Sequence, residues 1–404
     1  MKSEALELYN KLSPEFKLLC KCATAKPVTQ AAQAAIIALI NWPVDWPRFL
    51  ELVKYHQVYP LVYRALTEVP PEFVPVELMT ELCRMNQEST AKSLQMTGEL
   101  VRLVAGLETH GIKTVVLKGI PLAFMLYGSL ALRPPGDIDI LVRSEDVERA
   151  IAVLRGLDYE LDDPSFSDPE RRKRYMKIYC DFGYCHKDRG IRVELHWRLG
   201  HDDSELALPL SYIKNSLTEI NLAGHTINVF KQEELLIFLA LHGVKHGWHC
   251  LKWLLDIAAL LGRSGLDWGR VYKIADSLEV RPLINQALLL ANELLEAPLA
   301  DDILGQARKD KKARQLAKAA MPIITTMVVD SSHLILKPRY YYGIFYRFSL
   351  LRGWKRKCSY IGNHFKPNEN DIKLIALPKW LYFLYYLIRP FAWAKRRYSD
   401  IAGR

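Results

Sequence analysis

An α+β fold is predicted from three observations. Apolar residues recur at helical spacing through the first hundred residues, short alternating strand signals punctuated by glycine-bearing turns fill the middle, and helical patterning returns from Gln232 onward. These shifts divide the chain into an N-terminal helical region (1–95), a mixed core (96–231) and a C-terminal helical domain (232–404). A chain of 404 residues, 50% hydrophobic and 25% charged, has the length and composition to bury a large core in two or three domains.

The N-terminal region reads as helices over Ala31 to Ile40, Trp46 to His56 and Glu88 to Glu108, the last with Leu94, Met96, Leu100, Leu103 and Leu107 at helical spacings. Gly111 to Leu117 reads as a strand that ends at Lys118-Gly119, and Ile120 to Tyr127 as a short helix closed by Gly128. A glycine at such a turn lets backbone approach an anion, and the helix N-terminus offers unpaired N–H groups, so the turn is a candidate phosphate seat. It is not a P-loop, because no Gly-x-x-x-x-Gly-Lys-Ser/Thr is present.

Arg133-Pro-Pro-Gly136 then leads into Asp137-Ile-Asp139 and the apolar run Ile140-Leu-Val142. On a strand, residues two apart share a face, so both carboxylates look one way while Ile138, Ile140 and Val142 enter the core. Two such acids repel each other, and a hard divalent cation with oxygen ligands removes that repulsion. A solvated strand end is the competing reading of the pair taken alone, and the same spacing occurs in metal-dependent glycosyltransferases.

After Gly156 a polar, proline-bearing stretch to Met176 is expected to form a mobile excursion. Tyr179 to His186 and Ile191 to Arg198 flank Asp188-Arg-Gly190 as a hairpin, and Thr218 to Leu222 and Thr226 to Phe230 make another around Ala223-Gly-His225. In the first hairpin Val193, Leu195 and Trp197 form one face, and Arg192, Glu194, His196 and Arg198 the other. A third carboxylate, Glu194, thus stands on a polar strand face beside His196, whose role is to orient it, to bond a phosphate or simply to support the strand. In the C-terminal domain His242 and His246 are four apart on one helix face. Gly243 stands where a zinc-protease helix carries glutamate, so a satisfied or substrate-facing pair is favoured over zinc. Asp256, inside an apolar helix, is costly unless paired or hydrogen-bonded; a simple buried hydrogen bond is the favoured reading, with Lys252 or a residue of the site wall as candidate partners.

The ordered set Leu117-Lys118-Gly119, Tyr127, Arg133, Asp137-Ile-Asp139-Ile-Leu-Val142, Glu194-Leu-His-Trp197, His242-Gly-Val-Lys-His246 and Trp253-Leu-Leu-Asp256 resembles the nucleotidyltransferases of the DNA-polymerase-beta-like superfamily. The likeness is to an uncharacterised bacterial branch in which Leu-Lys-Gly replaces the usual Gly-Ser. The motifs cover about residues 95 to 260, and Tyr59-Pro-Leu-Val-Tyr63 and Leu387-Ile-Arg-Pro390 extend the similarity more softly.

The resemblance implies a polymerase-beta-like core, a mixed sheet with flanking helices, embedded between the two helical regions. It also implies transfer of a nucleoside monophosphate from an NTP, with ATP the first expectation, to an acceptor with release of pyrophosphate. Asp137, Asp139 and Glu194 would hold Mg²⁺ or Mn²⁺ and carry the catalysis, and Lys118, Gly119 and Arg133 would bind the nucleotide. His196, His242 and His246 would contact substrate or support those groups. Lysine at 118 supplies a point charge to either triphosphate or acceptor, where the usual serine would bond a phosphate. The acceptor is a small molecule, sugar phosphate, peptide or protein. The alternatives are an Asp-x-Asp glycosyltransferase, disfavoured by the Lys-Gly turn and the Glu194 strand, and an inactive nucleotide-binding module of the same fold.

The formal charge of +10 is scattered over Arg171 to Arg174, Lys309 to Lys312, Arg352 to Lys357 and Lys395 to Arg397. Only Tyr340 to Arg347 interleaves aromatics with a cation, and it reads as a helix burying one aromatic face, so no polymeric nucleic acid is expected. Leu377 to Arg397 resembles an interfacial helix, but its apolar run is too short to span a bilayer. Packing on the helical domain is favoured over peripheral membrane contact. Seven cysteines without paired spacing and the absence of a signal-like segment near Met1 predict a reducing, cytoplasmic setting.

Overall fold

The computed structural model of the chain describes residues 9–10, 12–177, 179–200, 216–326 and 338–350, with 354 and 357–358. The chain divides into two compact units, Met1–Tyr342 and Gly343–Arg404. The predicted α+β architecture is observed: a mixed five-stranded sheet with flanking helices lies between helical stretches.

The first unit begins with α1 (Pro14–Cys22), α2 (Gln30–Ile40), α3 (Trp46–His56) and α4 (Tyr59–Thr67). Ser13, Thr29 and Asp45 cap the first three by accepting hydrogen bonds from the backbone N–H groups of Phe16, Ala32 and Arg48. The long α5 (Val76–Thr109) runs without interruption into the sheet region. Met96, Leu100, Leu103 and Leu107 are buried as their spacing predicts, whereas Leu94 is 60% exposed, because it lies off the stripe those residues form.

The sheet has the order β1 (Val115–Val116), β2 (Ile138–Leu141), β5 (Arg192–His196), β4 (Asp181–His186), β3 (Tyr159–Leu161). The strand expected over Gly111 to Leu117 is thus confined to two residues. All neighbours are antiparallel except β2 and β5, which run parallel with Ile138 opposite Val193 and Asp139 opposite Glu194. Ile138, Ile140, Val142, Val193, Leu195 and Trp197 enter one core with the buried face of α5 and with α7 (Val147–Gly156). Burial of each such side chain is worth about 1.5–3 kcal/mol, so the register is pinned: a one-residue slip would turn these residues out and the acids in.

Both predicted hairpins form, β4–β5 and β6 (Leu217–Leu222) with β7 (His225–Phe230), the second closed by Ala223 and Gly224 at positive φ. The stretch from Gly156 to Met176 differs from expectation: it holds β3 and the helix α8 (Pro169–Met176). Its polar look conceals a buried anchor. Arg172 donates to Glu148 Oε2 at 2.7 Å and to the carbonyls of Phe166 and Ser167 at 2.9 and 2.8 Å.

The unit continues through α9 (Gln232–Lys245), α10 (Leu251–Leu261), α11 (Trp268–Ser277), α12 (Arg281–Leu295), α13 (Asp301–Lys309) and α14 (Lys311–Thr325). The aromatic stretch at Tyr340 to Arg347 lies in the helix α15 (Pro338–Leu350), in which Tyr346 is buried and Phe345 exposed. Leu377 to Arg397 lies outside the described residues, and among those described no helix is long and apolar enough to cross a membrane.

Candidate active site

Lys118-Gly119 lies between β1 and α6 (Ile120–Tyr127), clamped to the strand that carries the two aspartates. The Leu117 N–H donates to the Asp139 carbonyl at 3.1 Å. Gly119 has φ +81°, a region that disfavours any side chain, and a Cβ there would come within 3.2 Å of the Asp137 carbonyl oxygen. The glycine therefore lets the turn lie directly against the acid-bearing backbone, and α6 starts there.

The parallel register then brings Glu194 alongside Asp139. His196, two residues on and on the same face, reaches both: its Nε2 is 3.3 Å from Asp139 Oδ1 and 3.4 Å from Glu194 Oε2. Ligand atoms of Asp139, Glu194 and His196 all lie within 4.8 Å of one another. Asp137 joins them through Lys118, whose Nζ sits 2.8 Å from Asp137 Oδ1 and 2.5 Å from Asp139 Oδ2. That one ammonium thus serves an oxygen of each aspartate.

The charges answer one another. Burial favours the neutral form of Asp139, but the Lys118 charge and His196 outweigh it and hold the carboxyl well below the usual range. Burial opposes the charge on His196, and hydrogen bonds to Asp139, Cys180 and Glu194 overcome it, raising the imidazole well above its ordinary value. For Glu194 the His196 hydrogen bond acts downward, but burial and the charges of Asp139 and Asp137 prevail and raise the carboxyl. Glu194 is thereby more basic than Asp139 beside it.

Arg133 is not turned toward these acids. Its guanidinium is buried and grips Asp256 on α10 in a fork, Nε to Oδ1 at 2.7 Å and Nη2 to Oδ2 at 2.8 Å, while Nη1 reaches the Gly119 carbonyl at 3.4 Å. The Tyr127 hydroxyl donates to the same carboxylate at 2.9 Å. The partner that Asp256 requires is thus Arg133, and the Lys252 ammonium instead bonds Gln57. This fork ties α10 to α6 and to the turn, because a desolvated charge that binds in two places is costly to separate.

His242 and His246 pack against each other with tilted rings, 4.7 Å between centroids, and both pack with Trp253, which His249 also meets. They belong to none of the ligand groups of three or more found among the described residues. Burial and the positive charge of Lys118 lower the His242 imidazole well below its ordinary value, which puts that ring within electrostatic reach of the acids. Gly243 is required by packing: a Cβ there would enter the buried ring of Trp248.

Sequence reasoning did not single out Cys180 and Asp181, whose ligand atoms also cluster with His196. Asp181 is the cross-strand partner of His196, a register set by the four-residue loop Lys187–Gly190, one residue longer than the turn read from the sequence.

A divalent hard ion fits this donor set. Ligand atoms of Asp139 and Glu194 converge with His196, and Asp137 is tied to Asp139 by the Lys118 cation the two acids share.

No curated protein matches the chain. Among solved structures it is similar to an antigenic nucleotidyltransferase-like protein from Paracoccidioides brasiliensis, at 14% identity and a TM-score of 0.29, over 52% of this chain and 96% of that one. A family profile described as uncharacterised nucleotidyltransferase matches residues 43–296. That span takes in more than half the chain and every site residue described above, and the chain belongs to this family of uncharacterised nucleotidyltransferases.

Proposed function

We propose that the protein transfers a nucleoside monophosphate from an NTP, ATP first among the candidates, to an acceptor hydroxyl or phosphate. The observation that carries this reading is the register that sets Glu194 beside Asp139 next to the Lys118-Gly119 turn. Asp137, Asp139 and Glu194 would hold Mg²⁺ or Mn²⁺, which when bound neutralises phosphate charge and favours in-line displacement.

The chain's own groups do the rest. Glu194, set beside Asp139 by the strand register, takes the proton of the attacking acceptor oxygen. That oxygen bonds to the α-phosphorus as the bond to the bridging oxygen breaks, and pyrophosphate leaves. His196 orients Glu194, and Lys118 together with the first backbone amides of α6 receives the triphosphate tail. Arg133 acts at one remove, holding the turn through Asp256 and the Gly119 carbonyl. His242 and His246 with Trp253 form a wall suited to a planar or polar part of the substrate.

The test is incubation of the protein with each α-labelled NTP, Mg²⁺ or Mn²⁺ and a cell extract. Label is expected on an acceptor with pyrophosphate in the medium. Release of a nucleoside diphosphate would indicate glycosyl or phosphoryl chemistry instead, and no transfer with any NTP would leave a binding module.

A further inference from the structure

Lys118 does more at this centre than wait for a phosphate. Its side chain is only 15% exposed and its ammonium contacts one oxygen of each aspartate, at 2.8 and 2.5 Å, so the two carboxylates already share one cation from the chain itself. The main chain on either side of Lys118 cannot retreat. The Leu117 N–H is bonded to the Asp139 carbonyl, and Gly119 lies against the Asp137 carbonyl. Only the four-carbon stem is left to move, and a lysine stem redirects its charge by rotation about single bonds. His196, on the opposite flank of Asp139, adds a second donor to the same carboxylate.

We propose that Lys118 is a resident counter-cation that excludes free divalent metal from the Asp137–Asp139 pair until a polyphosphate draws its ammonium away. A divalent ion entering while the ammonium stays would meet a like charge in contact with its own ligands, and the acids already gain from Lys118 part of what a metal would offer. A triphosphate tail changes the balance. It gives the ammonium a new anionic partner at the neighbouring turn and supplies oxygens that complete the shell of a hard ion. The ligand admitted is therefore a metal–polyphosphate complex rather than the bare ion. The inference rests on the transferase reading for the polyphosphate; the exclusion of free metal rests on the contacts of Lys118 alone.

The experiment measures Mn²⁺ binding to the full chain by electron paramagnetic resonance of the free ion, without nucleotide. Wild type, Lys118→Met, Lys118→Gln and Lys118→Met/Asp139→Asn are compared, with folding checked by circular dichroism. Lys118→Met and Lys118→Gln are expected to bind Mn²⁺ at least tenfold more tightly than wild type, and Asp139→Asn to abolish the gain. Lys118→Gln keeps a hydrogen-bond donor toward Asp137 and tests the idea where the methionine variant folds poorly. Equal or weaker Mn²⁺ affinity in a folded neutral variant would overturn the proposal. A gain that survives Asp139→Asn would overturn it too, because the ion would then be bound elsewhere. Failure to release pyrophosphate from any NTP would defeat the transferase reading and leave this metal-binding result untouched.

Discussion

Replacement of Asp256 by asparagine tests whether Arg133 is a structural tie or a nucleotide ligand. The side chain keeps its size and one oxygen but loses the charge that neutralises a guanidinium only 4% exposed. Two charge-assisted bonds of 2.7 and 2.8 Å and the 2.9 Å bond from Tyr127 are weakened or inverted at once. Removing one partner of a buried ion pair costs about 3–5 kcal/mol, and the perturbation here belongs in that range because neither group has solvent to fall back on. Urea unfolding followed by tryptophan fluorescence and far-ultraviolet dichroism reads the loss. The double variant Arg133→Met/Asp256→Leu replaces the pair with apolar groups and is expected to recover more than half of it, since such exchanges are often neutral. If Arg133 acts only by holding the turn, the double variant also keeps nucleotidyl transfer within about tenfold, roughly 1.4 kcal/mol of barrier. A loss under about 1 kcal/mol in Asp256→Asn, the value of an ordinary hydrogen bond, would refute the structural reasoning. A stable double variant without activity would return Arg133 to the nucleotide.

Asp139→Asn is expected to abolish turnover while far-ultraviolet dichroism stays that of wild type, and full activity in a folded variant would defeat the proposed chemistry. Gly243→Ala drives a methyl group into the buried Trp248 ring and should cost about 1–3 kcal/mol or more in unfolding experiments, as overpacking does; unchanged stability would refute the packing role given to Gly243. His56 accepts a hydrogen bond from the Leu251 N–H at 3.1 Å, and burial, followed by the charge of His249, pushes its pKa down to about 3. The unfolded chain takes up a proton below about 6.5 that the native state refuses, so stability falls as pH drops from 6.5 toward 3, by up to about 1.4 kcal/mol per pH unit. His56→Asn should be less stable at pH 7 but lose less between pH 7 and pH 5. Equal losses by urea midpoint would contradict the assignment.

Much of this was legible in the residue order because it is local. The Asp-x-Asp strand, the Lys-Gly turn into α6 and the alternation through Glu194 and His196 depend on neighbours a few positions away, and periodicity reports them. The partners of charged groups were less legible. Arg133 looks like a phosphate ligand by residue type and by its place ahead of the aspartates, yet its fork is taken by Asp256, 123 residues on. Nothing local marks that choice, although the cost of an unpaired Asp256 in an apolar helix did announce that a partner exists. Lys118 is a similar case: its residue type suggested a phosphate, and the strand register made it the nearest counter-ion to two acids. The stretch after Gly156 misled for the converse reason, since Arg172 is polar in composition but buried by the contacts it makes.

The parallel seam between β2 and β5 has a consequence for how the molecule comes into being. His196 and Asp139 stand 57 residues apart in the chain, and that seam brings them together. On a ribosome the aspartate strand emerges well ahead of its counterpart, and the intervening helices and hairpin arm must collapse before the two edges can zip. Closing such a gap precedes any reward from the contacts it creates, which makes assembly of the centre a late event. A chain truncated just short of β5 would carry an unpaired strand edge, a template for aggregation where the complete chain has a reaction centre.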